Sequence, residues 1–408
     1  MSGKRIIIVG GGFGGLFTAL GLSGVGEVVL ISQEDHFLFT PLLYEYLSGE
    51  VEAWHIAPRY RELLDEGVRF IQDTVTEIDL SAREVATARG KRLAYDFLVL
   101  AVGGVTNYAG VAGASEYALP FRKIAHADRL RWHMIDVLDR IPPDAAPQDA
   151  RRTATFVVVG AGASGVELST KMADLLRDAF QRRGLPGEPR VIIVEMSAQV
   201  VPGMDEEIRQ HVENALRSSR VEVHTQTTVK RVMPQSIVVE HGGRLTELET
   251  SATIWTGGVR VNPLVDTLEV EKDRHGLIIV EPTLQVRRHE RVFALGDIAL
   301  CTTLDSPRLA GTAQLAYQQA GLVANNIRAL IEGRSLETRQ FHELGEAVSL
   351  GTERAAVLAG GVVFDGALGR QARFALYTSR LPTWQHRLRV GASWFFEGTA
   401  PRPLSLER

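Results

Sequence analysis

Gln314 and Gln318 stand four residues apart in the mostly apolar run TAQLAYQQA, Thr312 to Ala320. On a helix, residues four apart share a face. A neutral amide can hydrogen-bond a carbonyl in an apolar pocket without desolvating a charge. Such a pair either faces water or aims two neutral hydrogen-bonding groups into an apolar pocket. Tyr317 lies beside them in sequence but about 100° round the helix. Two glycine sets offer different chemistry. Gly10, Gly12 and Gly15 fall in IIIVGGGFGG, and Gly160, Gly162 and Gly165 fall in FVVVGAGASGVE. At this spacing the first glycine permits a tight turn and the second lets the backbone approach a pyrophosphate. The third lets helix and strand pack closely.

The elements around each set fit that use. An apolar β-branched run precedes the glycines and a helical pattern follows, LFTALGLSG in one case and VELSTKMADLLRDAFQRR in the other. Phosphates would sit on the free N–H groups of each helix N-terminus. A second strand comes next in both copies. The first, Glu27 to Ile31, ends at Ser32, where a carboxylate usually binds the adenosine ribose. A serine hydroxyl is a weaker partner. The second, Arg190 to Val194, ends at Glu195. Glu195 suits a free ribose 2′-hydroxyl and would repel a 2′-phosphate, so NADH is favoured over NADPH. Two such folds in one chain point to two dinucleotides, a flavin cofactor and a nicotinamide cosubstrate.

Composition narrows the classes. The 408 residues suffice for two or three domains. A formal net charge of −4 gives no electrostatic case for nucleic acid. Apolar runs fall far short of the roughly 20 residues a spanning helix needs. Ile6 to Val9 is shorter than a signal-peptide core, so the expected location is cytoplasmic. The one cysteine, Cys301, excludes an intrachain disulfide or redox dithiol; it reads as a small buried residue. No metal-ligand spacing occurs, and His126, His133 and His224 read as structural.

Three further segments end strands in glycine turns: YDFLVLAVGG (95–104), ATIWTGG (252–258) and RVFALGD (291–297). With both fingerprints they resemble the two-dinucleotide-binding-domain flavoproteins. Disulfide reductases and sulfide:quinone oxidoreductases of that group work through paired cysteines, which this chain lacks. The chain is most similar to the type II NADH:quinone oxidoreductases. The carrying segments are GGGFGGL, FTPLLYE (39–45), GAGASGVEL, TIWTGG, FALGD and TAQLAYQQ. The resemblance spans nearly the whole chain. It implies FAD at Gly10, Gly12, Phe13, Gly14, Gly15, Ser32, Pro41, Leu42, Ala101, Gly103, Gly296, Asp297 and Ala313, with Asp297 holding the ribityl chain. It implies NAD(P)H at Gly160, Gly162, Ser164, Gly165, Glu167, Glu195 and Gly257. Gln314 and Gln318 then line the quinone pocket. Glu45 and Glu167 are the acids nearest the implied site; neither is assigned as proton donor, and Glu167 would equally position the nicotinamide.

SRLPTWQHRLRVGASWFF, GVELSTKMADLL, PTLQV and FHELGEAVSLG are similar to the cyanobacterial and plastid branch, which contains demethylphylloquinone reductases of vitamin K1 synthesis. Lys171 stands where many respiratory members carry a glutamate, so that glutamate's role does not transfer.

The implied fold is α/β, two Rossmann-like dinucleotide-binding domains plus a C-terminal module for membrane association or homodimerisation. The expected bounds are 1–115 and 262–340 for FAD, 116–261 for NAD(P)H, and 341–408 for the C-terminal module. The loop Ile141 to Pro147 is read as preceding the second domain's first main strand. From Gly366 to Phe396 the chain has Arg370, Arg373, Arg380, Arg387 and Arg389, with no Asp, Glu or Lys, interleaved with Phe, Tyr, Trp and Leu. Pro382 divides this stretch into pieces of about 367–381 and 383–396. Such a segment can lie in a headgroup plane and attract anionic lipid. The expected placement is peripheral, on the cytoplasmic face of a plasma or thylakoid membrane where a tailed quinone resides. Two rival functions fit parts of the pattern: a reductase of a soluble carrier such as a ferredoxin or rubredoxin, and a non-catalytic flavin/NADH sensor.

Overall fold

The computed structural model describes residues 3–301, 303 and 311–405. It divides into two compact units. The first comprises residues 1–39, 57–105 and 259–344; the second comprises 40–56, 106–258 and 345–408.

The first unit is built on a six-stranded sheet. Its order is Gln285–Val286, His289–Ala294, Phe97–Leu100, Arg5–Val9, Glu27–Ser32 and Val68–Gln72. The last five are mutually parallel. A parallel sheet is covered on both faces, so its strands read as unbroken apolar runs; Ile6, Ile7, Ile8 and Leu98 are fully buried. The helix Phe13–Gly21 leaves the first strand and packs on Ala313–Glu332. The approach is close: a Cβ on Gly21 would lie 2.8 Å from the Ala324 Cβ.

The second unit repeats the plan with five parallel strands, ordered Glu222–His224, Arg190–Val194, Thr155–Val159, Ala252–Trp255 and Leu119–Pro120. Helices Ile124–Asp139, Ala163–Arg183 and Glu206–Ser218 flank it. The proline-rich loop ends in a short helix, Pro147–Thr153, whose first position is Pro147. Proline suits that position because the N–H it lacks would have no intrahelical acceptor.

Residues 345–408 belong to the second unit. They form a three-stranded meander, Glu346–Ser349, Ala355–Ala359 and Val362–Phe364, then helices Gly366–Ser379 and Trp384–Glu397. Pro382 lies in the break between the helices. The Thr383 hydroxyl caps the second by accepting from the His386 N–H.

Candidate functional site

In the first unit the glycine turn has the geometry its spacing implies. Gly10 has φ +103°, and a Cβ there would lie 2.3 Å from the Ala101 carbonyl oxygen. A Cβ on Gly15 would lie 1.8 Å from the Gly10 carbonyl oxygen. Gly12 is different: a Cβ there would meet nothing within 4 Å. It opens the helix Phe13–Gly21 with no side-chain cap. Open space over uncapped N–H groups is a cradle for a pyrophosphate. Gly14 and Gly15 are buried within the helix. Phe13 packs edge-on against Phe37 at 5.0 Å and close to Phe39 at 5.5 Å.

Ser32 ends its strand, and its hydroxyl is engaged with that of Tyr60. The Tyr60 hydroxyl donates to the Gly11 carbonyl at 2.6 Å. Tyr60 is buried, and one tyrosine in a short helix carries no local signal in the sequence. Ala101 N–H donates to Val9 O at 2.9 Å, fixing the second glycine turn. Gly103 has φ +64°, and a Cβ on Gly104 would stand 3.6 Å from the Asp297 carboxylate. Asp297 lies in the 3-10 turn Gly296–Ile298. Ala313 is the first residue of the long helix, and the Thr312 hydroxyl caps it by accepting from Leu315 N–H. These residues fit a bound FAD: an open glycine cradle at one end and a carboxylate beside a glycine pair at the other.

Gln314 and Gln318 lie on that long helix. The Gln314 Oε1 accepts from Leu344 N–H at 2.8 Å. The Gln318 Nε2 donates to His342 O at 2.9 Å, and its Oε1 accepts from His342 N–H at 3.3 Å. Both amides thus hold the backbone of residues 342–344, a pairing across 24 to 30 positions that helix periodicity cannot reveal. Tyr317 is 40% exposed and packs edge-on against Phe17 at 4.7 Å. Cys301 is partly buried, with its thiol beside the Thr303 hydroxyl.

The second unit carries the other cradle. Gly160 has φ +99°, a Cβ on Gly165 would lie 1.8 Å from the Gly160 carbonyl oxygen, and Gly162 faces open space. The helix Ala163–Arg183 has no side-chain N-cap. The exposed Ser164 hydroxyl bonds Tyr44. Glu195 is buried; its Oε2 accepts from Ala161 N–H and its Oε1 from Ser197 N–H, both at 2.7 Å. Its carboxylate therefore sits against the glycine loop. Gly257 closes on Gly160, and its carbonyl accepts from the Trp255 indole at 2.9 Å.

Glu167, on the helix Ala163–Arg183, belongs to a buried charge cluster. Arg373 Nη1 donates to Glu45 Oε1 at 2.6 Å, and its Nη2 donates to Glu167 Oε1 at 2.8 Å and to Pro41 O at 2.7 Å. Glu167 Oε1 also accepts from Ser349 N–H at 2.8 Å. Lys171 pairs with Glu50 and lies 3.4 Å from Glu45. Arg370 reaches Glu50 at 3.0 Å. Pro41 and Leu42 form a short turn with these residues in the second unit. Burial pushes the Glu167 carboxyl up to about 7; Arg373 offsets this only in part, and the nearby Glu45 charge adds to it. Burial also raises Glu45, but Arg373 and Lys171 outweigh it and hold Glu45 down near 2.

Arg370 and Arg373 therefore do not belong to a basic outer face. Arg373 is 2% exposed and Arg370 is drawn inward by Glu50. Phe374, Tyr377 and Leu381 are buried too. The outer face carries Leu368, Trp384, Leu388, Phe395 and Phe396, with the exposed Arg389 over the Trp54 ring at 5.3 Å. Among the described residues, no group of His, Cys, Asp or Glu is placed to hold a metal. No described helix is long and apolar enough to cross a membrane.

Two nucleotide folds, each ending its first strand in a glycine cradle, define a pyridine-nucleotide flavoprotein. The model of the pyridine nucleotide-disulphide oxidoreductase family matches residues 4–320. The chain is 35% identical to demethylphylloquinone reductase NdbB of Synechocystis, covering 96% of this chain and 95% of that one. It is 29% identical to the type II NADH:quinone oxidoreductase Ndh of Mycobacterium tuberculosis, over 96% of this chain and 87% of that one. Among solved structures, NDH2 of Plasmodium falciparum in complex with NADH shares the fold, with a TM-score of 0.85 at 19% identity over 98% of this chain and 99% of that one. The chain belongs to the type II NADH:quinone oxidoreductase family.

Proposed function

We propose that the protein is an FAD-dependent, non-proton-pumping NAD(P)H:quinone oxidoreductase. The observation that carries this reading is a pair of nucleotide cradles in a chain whose single cysteine rules out an intrachain dithiol relay. Electrons must then leave by a route other than a disulfide, and relatives of nearly equal length are quinone oxidoreductases. The overall reaction is NADH + H⁺ + quinone → NAD⁺ + quinol. Bound FAD supplies the acceptance of a hydride and its release as two electrons. The chain's own residues orient both partners. The Gly12 loop and Asp297 hold FAD, and the Gly162 loop and Glu195 hold NADH.

Glu195 faces the glycine loop where a ribose 2′-hydroxyl would seat, which supports NADH over NADPH. Gln314 and Gln318 receive the quinone, exchanging backbone bonds at 342–344 for a quinone carbonyl. The quinone is a membrane naphthoquinone of the demethylphylloquinone type, in line with the 35%-identical relative. The enzyme docks on the cytoplasmic side of its membrane through the second C-terminal helix, where Phe395 and Phe396 are more than 80% exposed. Steady-state NADH oxidation tests the reading. FAD-loaded protein should turn over with a naphthoquinone acceptor, and turnover with ferredoxin or rubredoxin alone would overturn it.

A further inference from the structure

Gln319, next to the quinone-assigned glutamine, does something else. The strand His289–Ala294 keeps its register with Phe97–Leu100 through Leu295, whose N–H donates to Leu100 O at 3.1 Å. The next N–H, that of Gly296, has left the sheet and is buried. Gln319 Oε1 accepts it at 2.8 Å. Gly296 has φ +73°, a left-handed conformation that glycine adopts without strain. The turn is thus held from one side by the sheet and from the other by a side chain two turns into the long helix. Asp297 is the next residue.

Gln319 is fully buried, and its Nε2 has no hydrogen-bond partner among the described residues. A buried amide with half its capacity unused is unfavourable for folding. An apolar side chain there would avoid that penalty, so the gain lies in the Gly296 bond. We propose that Gln319 is a positioning residue for the flavin: it fixes the Gly296–Asp297 turn so that the Asp297 carboxylate is preset for the ribityl hydroxyls. This rests on the reading that the first unit binds FAD.

The test uses the full chain stripped of FAD and titrated with FAD, following the quenching of flavin fluorescence. Wild type is compared with Gln319→Met, which matches the shape without the acceptor, and with Gln319→Glu, whose buried protonated carboxyl keeps a carbonyl oxygen toward Gly296. FAD should bind Gln319→Met about tenfold more weakly, with the FAD-free protein melting at the wild-type temperature. Gln319→Glu should recover most of the affinity. Equal affinity of Gln319→Met and wild type overturns the proposal. A loss accompanied by a matching fall in the melting temperature of the FAD-free protein, and not rescued by Gln319→Glu, overturns it in favour of a packing role. Failure of wild type to bind FAD overturns the underlying reading instead.

Discussion

Arg373 donates to Glu167 across 2.8 Å, joining the helix Gly366–Ser379 to the second glycine helix with both side chains buried. The same guanidinium holds Glu45 at 2.6 Å. One cation thus serves two carboxylates. All five tryptophans (54, 132, 255, 384 and 394) fall in the second unit, so tryptophan fluorescence reports on this unit alone.

Removing the cation should therefore be severe. Arg373→Ala leaves Glu45 and Glu167 buried without their main partner, and breaking a buried pair costs about 3–5 kcal/mol. Urea unfolding followed by tryptophan fluorescence should show a loss of that size. A loss under about 1 kcal/mol would mean that water replaces the guanidinium freely.

Glu167 should make the second unit less stable as pH rises. Its carboxyl moves from an ordinary 4.5 to about 7 on folding, so between those values the folded state binds more protons than the unfolded one. Stability from this group is highest at or below about pH 4.5 and falls by about 3 kcal/mol by pH 7. Glu45 acts in the opposite sense at lower pH, its contribution being lost as pH drops from 4.5 toward 2. Glu167→Gln should flatten the fluorescence-detected stability between pH 5 and 7, and an unchanged slope would refute the assignment.

Glu195→Ala should raise the KM for NADH by about 10- to 100-fold, the range for a lost hydrogen bond to a charged group. It should also shrink the preference over NADPH, because the repelling carboxylate is gone. Steady-state kinetics with both nucleotides checks this. A KM rise equal for the two would assign Glu195 only to ordering the loop through Ala161 and Ser197.

Membrane docking should depend on the outer ends of the C-terminal helices and not on their inner arginines. Phe395→Ser with Phe396→Ser removes two aromatic rings more than 80% exposed and should weaken co-sedimentation with anionic vesicles by about tenfold or more, at about 25 cal/mol per Å² of apolar surface. Arg389→Gln should add a smaller, salt-dependent loss. Equal sedimentation of all variants would remove this face from the docking surface.

The glycine cradles were legible in the sequence because hard-sphere sterics leave few residues able to occupy them: at Gly15 and Gly165 any Cβ would overlap a carbonyl. The strands around them were legible because a doubly covered parallel sheet demands continuous apolar runs. The break at Pro382 was legible for a similar local reason. The charge cluster was not. Glu45 and Glu50, Glu167 and Lys171, and Arg370 and Arg373 come from three distant segments, and nothing local marks an arginine in a basic aromatic stretch as inward-facing. Periodicity placed Gln314 and Gln318 together but gave no view of their partners at His342 and Leu344. Gln319 carries no local signal because its partner, Gly296, lies 23 residues upstream.

Electrons from NADH leave this flavoprotein for a quinone. The most direct measurement is anaerobic stopped-flow on FAD-loaded protein, mixing first with NADH and then with menadione or a demethylnaphthoquinone while following flavin absorbance. NADH should bleach the flavin rapidly and quinone should restore its absorbance rapidly, with Gln314→Leu slowing only the recovery. Rapid bleaching followed by no quinone-dependent recovery would contradict it.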